Sequence, residues 1–121
     1  MVQSFADPGR IRGFHAHIYY DTQTRPVAAS LRDAIAARFT VELGRWHDEP
    51  VGPHPTSMYQ VAFAAEEFGR FVPWLMLNHG GLDVLVHPQT TDAYADHTEH
   101  ASWLGVKLPL RLDVLRRDPP A

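Results

Sequence analysis

The chain has 121 residues, the size of one domain, with 45% hydrophobic residues, 21% charged residues and a formal net charge of −3. This is the composition of a soluble globular protein: there is no basic excess for nucleic acid or anionic membrane, and no apolar run reaches the roughly 18–20 residues of a membrane span. The absence of cysteine excludes disulfides, thiolate catalysis and cysteine-ligated zinc or iron–sulfur sites, and the N-terminus has no apolar stretch of signal type, so a cytoplasmic location is expected.

Residues 1–12 contain Pro8 and Gly9 and no periodicity, and are expected to form a flexible N-terminal arm. A first strand over 13–20 places Phe14, Ala16, Ile18 and Tyr20 on one face and His15, His17 and Tyr19 on the other. A helix follows over 25–39, with Thr24 as its cap, Pro26 in its first turn and Val27, Leu31, Ala34 and Ile35 at helical spacing. A second strand is expected over 40–46. The segment HDEPVGPHPT (47–56) cannot be regular structure, and connections of that length are often functional.

A third strand over 57–64 sets Tyr59, Val61 and Phe63 against Met58, Gln60 and Ala62. The second helix, 66–78, has the apolar stripe Phe68, Phe71, Val72 and Leu75, carries Pro73 inside it and stops at His79-Gly80-Gly81. A fourth strand over 82–88 sets Leu82, Val84 and Val86 opposite Asp83, Leu85 and His87. A third helix is expected over 91–104, capped by Thr91 or Asp92 and ended by Gly105. The last strand, 108–115, alternates well, and Pro109 confines it to a sheet edge. Residues 116–121 form a C-terminal tail, which leaves 13–115 as one domain.

The order β-α-β-β-α-β predicts an α+β, ferredoxin-like antiparallel sheet of order 4-1-3-2, with an additional C-terminal helix and edge strand. The helices should cover the more apolar face, leaving His15, His17, Tyr19, Gln60, Asp83 and His87 on the other. That face lacks the basic and aromatic residues an RNA-binding sheet uses, so no nucleic-acid partner is expected.

Eight histidines are many for this length, and they are spread along the chain. Two histidines at i and i+2 on a strand are often surface groups, and they are also a common way to supply two cis metal ligands. The topology adds a third: the first and fourth strands are antiparallel neighbours, so His87 should lie beside His15 and His17. Three neutral imidazoles can bind one divalent ion such as iron, zinc, copper or nickel. Asp83 and Glu42 are the carboxylates that could complete a two-histidine, one-carboxylate site. His47 and His54 in the loop, and His79 at the helix end, are expected at the opposite end of the sheet, where they would close a cleft or serve a partner subunit. His54, held between Pro53 and Pro55, suits an acid/base residue. Asp96 and His100 are four apart and are expected to pair on a helix face, a structural role preferred over metal binding by the HTEH string 97–100.

The strings FHAHIYY, ELGRWHDEPVGPHPTSMYQVAF, VPWLMLNHGGLDVLVHPQT and DHTEHASWLG resemble the DOPA 4,5-dioxygenase family of fungal and bacterial proteins, over roughly residues 13–115. The resemblance implies extradiol ring cleavage of a catechol such as L-DOPA with non-haem iron(II) and O₂, in a homodimer. It implies site residues among the histidines inside the matching strings, His15, His17, His54 and His87. Joined to the residue reading, it assigns His15, His17 and His87 to the metal, His54 to proton handling, and Tyr19, Gln60 and His79 to a small aromatic substrate. Two other classes remain open: a metal enzyme, with zinc or another divalent ion, acting on a different aromatic or enol, and a non-enzymatic dimer that binds a small ligand.

Overall fold

The computed structural model describes residues 4–115; the first three residues of the expected arm and the tail 116–121 lie outside the described residues. In chain order the elements are β1 (Gly13–Tyr19), α1 (Arg25–Arg38), β2 (Glu42–Leu43), β3 (Met58–Phe63), α2 (Ala65–Asn78), β4 (Val84–Gln89), α3 (Ala93–Asp96) and β5 (Ser102–Leu104). The sheet runs β2-β3-β1-β4-β5 and every pairing is antiparallel. The expected order 4-1-3-2 is present, with the extra strand on the β4 edge. No helix among the described residues is long and apolar enough to cross a membrane.

Alternation along the strands divides the sheet into two faces. Ala16, Ile18, Tyr59, Val61, Val84 and Val86 form one core with Leu31, Ile35, Phe71 and Leu75 of the two long helices. Burial of this apolar surface is the main stabilising contribution. It also fixes the register, because a one-residue slip would turn every core side chain outward. Tyr59 is fully buried in this core, and its hydroxyl donates to the Ala28 carbonyl at 2.8 Å, tying β3 to α1. Tyr59→Phe leaves that packing and removes one buried hydrogen bond; a loss of about 1 kcal/mol is expected, read as a fall of about 4 °C in the thermal midpoint.

The C-terminal third departs from the sequence reading. The third helix is a single turn, Ala93–Asp96, rather than 91–104. The chain then reverses, with His100 N–H donating to the Ala95 carbonyl, and residues 102–104 pair with β4. Gly105, at φ 81°, ends β5, and a Cβ there would lie 2.5 Å from Asp83 Oδ1, the atom that accepts from Val106 N–H. The expected edge strand 108–115 does not form; that stretch holds only a 3₁₀ turn at Leu112–Leu115. Of the two edges of the expected sheet, the one beside β4 is taken by β5. Leu108 and Leu110 instead pack with Trp103 and Ala101 against Tyr19, Met58 and Leu85, forming a second small core on the face expected to be open.

Two local features shape the site's surroundings. The β2 strand has two residues where seven were expected, 40–46, so the long loop after it begins early and folds back. At the N-terminus, Pro8–Arg10 form a 3₁₀ turn capped by Asp7, and Arg12 N–H donates to the Gln89 carbonyl at 2.8 Å, fastening this segment to the end of β4.

Candidate metal centre

The cluster begins with register. His15 of β1 is the direct partner of His87 of β4, and His17 follows on the same face. Ring centroids of His15 and His87 are 5.2 Å apart, and those of His17 and His87 are 5.1 Å apart with nearly parallel planes. His17 Nε2 and His87 Nε2 approach to 3.0 Å. His17 and His87 are buried; His15 is half-buried. The topology argument that brought His87 to His15 and His17 is therefore realised.

The loop 47–56 supplies a fourth ring, which corrects the expected placement of His54 at the far end of the sheet. Its turn uses Gly52 at φ 56°, His54 N–H donates to the Val51 carbonyl, and Arg111 N–H donates to the Pro53 carbonyl. These bonds fold the loop over the sheet. His54 is buried with its ring centroid 4.2 Å from that of His17, and its Nδ1 is 2.7 Å from the Tyr19 hydroxyl. Tyr19 shares the face of His17 and is buried; desolvation raises its pKa, so the phenol keeps its proton.

His97 is a fifth member, and the sequence reading missed it. It stood on a long helix in that reading; the helix ends at Asp96, so His97 is its C-cap and turns inward. Its ring lies 4.1 Å from His87, and its Nδ1–H donates to the Ala93 carbonyl at 2.7 Å. The segment is pinned by Asp96, whose buried carboxylate accepts from Thr90 N–H and the Thr90 hydroxyl, both at 2.7 Å. The expected Asp96–His100 pair is present at 3.1 Å.

The remaining candidates divide. Gln60 is half-buried and pairs with His17 in the ladder, so it flanks the cluster. His79 does not join it; at the end of α2, its Nδ1–H donates to the Leu82 carbonyl at 2.7 Å. Among the carboxylates, Asp83 caps Val106 and Glu42 is exposed on β2; among the described residues the groups of possible ligands contain histidines alone. A cavity of about 610 Å³ on the helix side, lined by Phe14, Phe68, Val72 and Met76, shares only His87 with the five histidines.

The electrostatics favour neutral rings. Desolvation is the leading cause of a lowered pKa at His17, His54 and His87, and neighbouring histidines add to it; His54 and His87 fall to about 4. At His87 the Pro88 carbonyl and Asp96 oppose part of the shift. Neutral imidazole is the form that binds metal.

Two overlapping groups have ligand atoms within 4.8 Å of one another, His15–His17–His87 and His17–His54–His97. The residues fit a divalent ion on three grounds. His87 Nδ1–H donates to the Pro88 carbonyl at 2.8 Å, which leaves its Nε2 lone pair facing the cluster, the outer-shell pattern of ligating histidines. The 3.0 Å between the Nε2 atoms of His17 and His87 equals the separation of two ligands 90° apart on an ion with bonds of about 2.1 Å. Finally, His17 Nδ1 is buried without a hydrogen-bond partner, so His17 can carry its proton there once an ion takes the place of the hydrogen bond between the two Nε2 atoms.

Comparison with known proteins agrees with this geometry. The model of the Dopa 4,5-dioxygenase family matches residues 14–114. A protein of Botryotinia fuckeliana, described only as an uncharacterized 21.2 kDa protein, is 38% identical over 95% of this chain and 71% of its own length. A DOPA 4,5-dioxygenase of Amanita muscaria is 34% identical over 84% of this chain, which spans about half (49%) of that enzyme. A crystal structure from Nostoc punctiforme, of a protein assigned only provisionally as a dioxygenase, superposes with a TM-score of 0.91 at 54% identity, covering 92% of this chain and 96% of that one. With its family match running from the start of β1 to the last turn and enclosing all five clustered histidines, the chain belongs to the Dopa 4,5-dioxygenase family.

Proposed function

We propose that the protein is an extradiol dioxygenase that cleaves the ring of a catechol such as L-DOPA with non-haem iron(II) and O₂. The observation that carries this reading is the group His15, His17 and His87, brought together by strand register in a chain whose named relative from Amanita is a DOPA 4,5-dioxygenase. Three neutral ligands suit an iron(II) site that leaves positions open for small molecules. A divalent ion held there would act as a Lewis acid and template on the two catechol oxygens, and iron(II) adds reactivity toward O₂.

The chain's own residues do the rest. His54 lies beside His17, within reach of a substrate oxygen, and exchanges hydrogen bonds and protons there. Tyr19 holds the His54 ring by its 2.7 Å bond, and Gln60 flanks the same surface. Leu108, Leu110 and Trp103 dry the neighbouring end of the face, which strengthens every polar contact inside. Cleavage beside the two hydroxyls places both atoms of O₂ in a muconic semialdehyde and needs no external reductant.

The test is oxygen uptake and absorbance of protein loaded with iron(II) under anaerobic conditions, then given O₂ with L-DOPA or unsubstituted catechol. One O₂ consumed per catechol, with a yellow product, is expected. Catechol left intact would remove the enzymatic reading.

A further inference from the structure

The truncated third helix leaves a hollow on the helix side of the sheet. Val86 of β4 is the direct partner of Ser102 of β5, and Val84 of Leu104, so these side chains share the helix-facing surface. Between the two strands the chain makes only the single turn Ala93–Asp96, which leaves no long helix there to cover them. The hollow is walled by Phe68, Val72 and Met76 of α2, which recur every fourth residue on one helix face over about 12 Å. The segment 6–11, fastened through Arg12 N–H to the Gln89 carbonyl, lines it as well. The resulting cavity of about 610 Å³ has the size and the apolar lining of a small-molecule site. It is open to solvent, with Phe68 36% and Met76 55% exposed.

The polar groups of this lining are mostly committed. Asp7 accepts from Gly9 N–H at 2.8 Å, and the Thr90 hydroxyl and His100 Nδ1–H both donate to Asp96. Arg10 is the exception: its guanidinium has no ion-pair partner among the described residues. We infer that the cavity binds a monocarboxylate with an unbranched apolar tail, of the medium-chain fatty-acid class. The tail lies along the α2 stripe, where burial supplies most of the affinity, and the carboxylate pairs with Arg10. An alkylammonium of equal length would bury the same tail and meet Arg10 with like charge. A dicarboxylate would carry a second charge into the apolar lining. Arg10 is exposed, so its contribution is a severalfold selection of charge sign on top of tail burial. The site needs no metal and stands apart from the proposed ring cleavage.

The test is methyl-¹³C-methionine NMR of the protein as purified, titrated with decanoate or with decylammonium. Met76 lines the cavity and Met58 sits in the second small core on the opposite face, so the two signals report the two faces separately. Decanoate should shift Met76, leave Met58 in place and bind at least about fivefold tighter than decylammonium. Arg10→Glu should reduce that preference to about twofold or less. Ser102→Trp, at an exposed position on the cavity floor, should weaken both ligands at least about tenfold. An unmoved Met76, a response at Met58 instead, a preference that survives Arg10→Glu, or affinity unchanged by Ser102→Trp would each overturn the inference. A Met76 signal that moves with protein concentration alone would also overturn it, by giving the cavity to a second copy of this chain.

Discussion

His87→Ala should abolish both metal retention and ring cleavage while leaving the fold intact. Among the three proposed ligands, His87 is the one whose tautomer is already set by a backbone bond, from Nδ1–H to the Pro88 carbonyl, and its Nε2 stands 3.0 Å from His17 Nε2. Loss of a residue that merely supports a ligand typically weakens metal binding by roughly 10–100-fold; loss of a ligand from a set of three should exceed that. Turnover should fall by at least about a thousandfold, because metal-free protein lacks the Lewis acid that the proposed reaction needs. Apo stability should fall by about 1–3 kcal/mol without loss of the fold, because the truncation leaves the His17 Nε2–H and the Pro88 carbonyl without their partners. The measurements are metal content after anaerobic loading, steady-state rate, and the circular dichroism melt of the apo form. A variant that keeps stoichiometric metal and wild-type turnover would place the ion elsewhere.

The second large effect is acid lability of the apo protein. His17, His54 and His87 all titrate below the ordinary histidine value of 6.5, with His54 and His87 near 4. The folded state therefore binds protons less readily than the unfolded chain. Stability from this source is fully present above pH 6.5 and is lost as pH falls from 6.5 toward 4. At about 1.4 kcal/mol per pKa unit, two such rings represent several kcal/mol, a large share of the roughly 5–15 kcal/mol that holds a small domain. The urea midpoint of the apo protein should accordingly drop steeply between pH 7.5 and pH 5. A divalent ion adds stability at neutral pH only, because protons compete for the same nitrogens. A midpoint that is flat from pH 7.5 to pH 5 would mean that these rings are not buried neutral.

Much of this site could be read from the strand pattern. Phe14, Ala16 and Ile18 alternate with His15 and His17, so the two histidines had to share a face, and the β-α-β-β-α-β order had to set β4 beside β1. That is why His87 could be placed from about seventy residues away. His54 was less legible. Its role depends on a loop whose path is set by Gly52, by the backbone bond from Arg111 to Pro53 and by the reach of the Tyr19 hydroxyl, and none of these has a periodic signature.

His97 and the C-terminal edge were hidden for one shared reason. Asp92 caps a helix as its sequence suggests, but β4 presents an unpaired edge, and residues 102–104 satisfy it. That long-range pairing truncates the helix after one turn and swings His97 inward. The leucines of 108–110 then keep their alternation without a ladder, because Pro109 cannot donate and the second small core takes their side chains. The nearest local hint at His97 was its neighbour Asp96, an acid that becomes buried by holding Thr90 and His100.

The most direct measurement is an anomalous-difference map at the iron edge, from crystals of the anaerobically loaded protein. One peak is expected on the sheet face within about 2.1–2.3 Å of nitrogens of His15, His17 and His87, with His54 and His97 beyond bonding distance. A peak bound by His17, His54 and His97, or one found only at a histidine outside the cluster such as His79, would contradict the proposed centre.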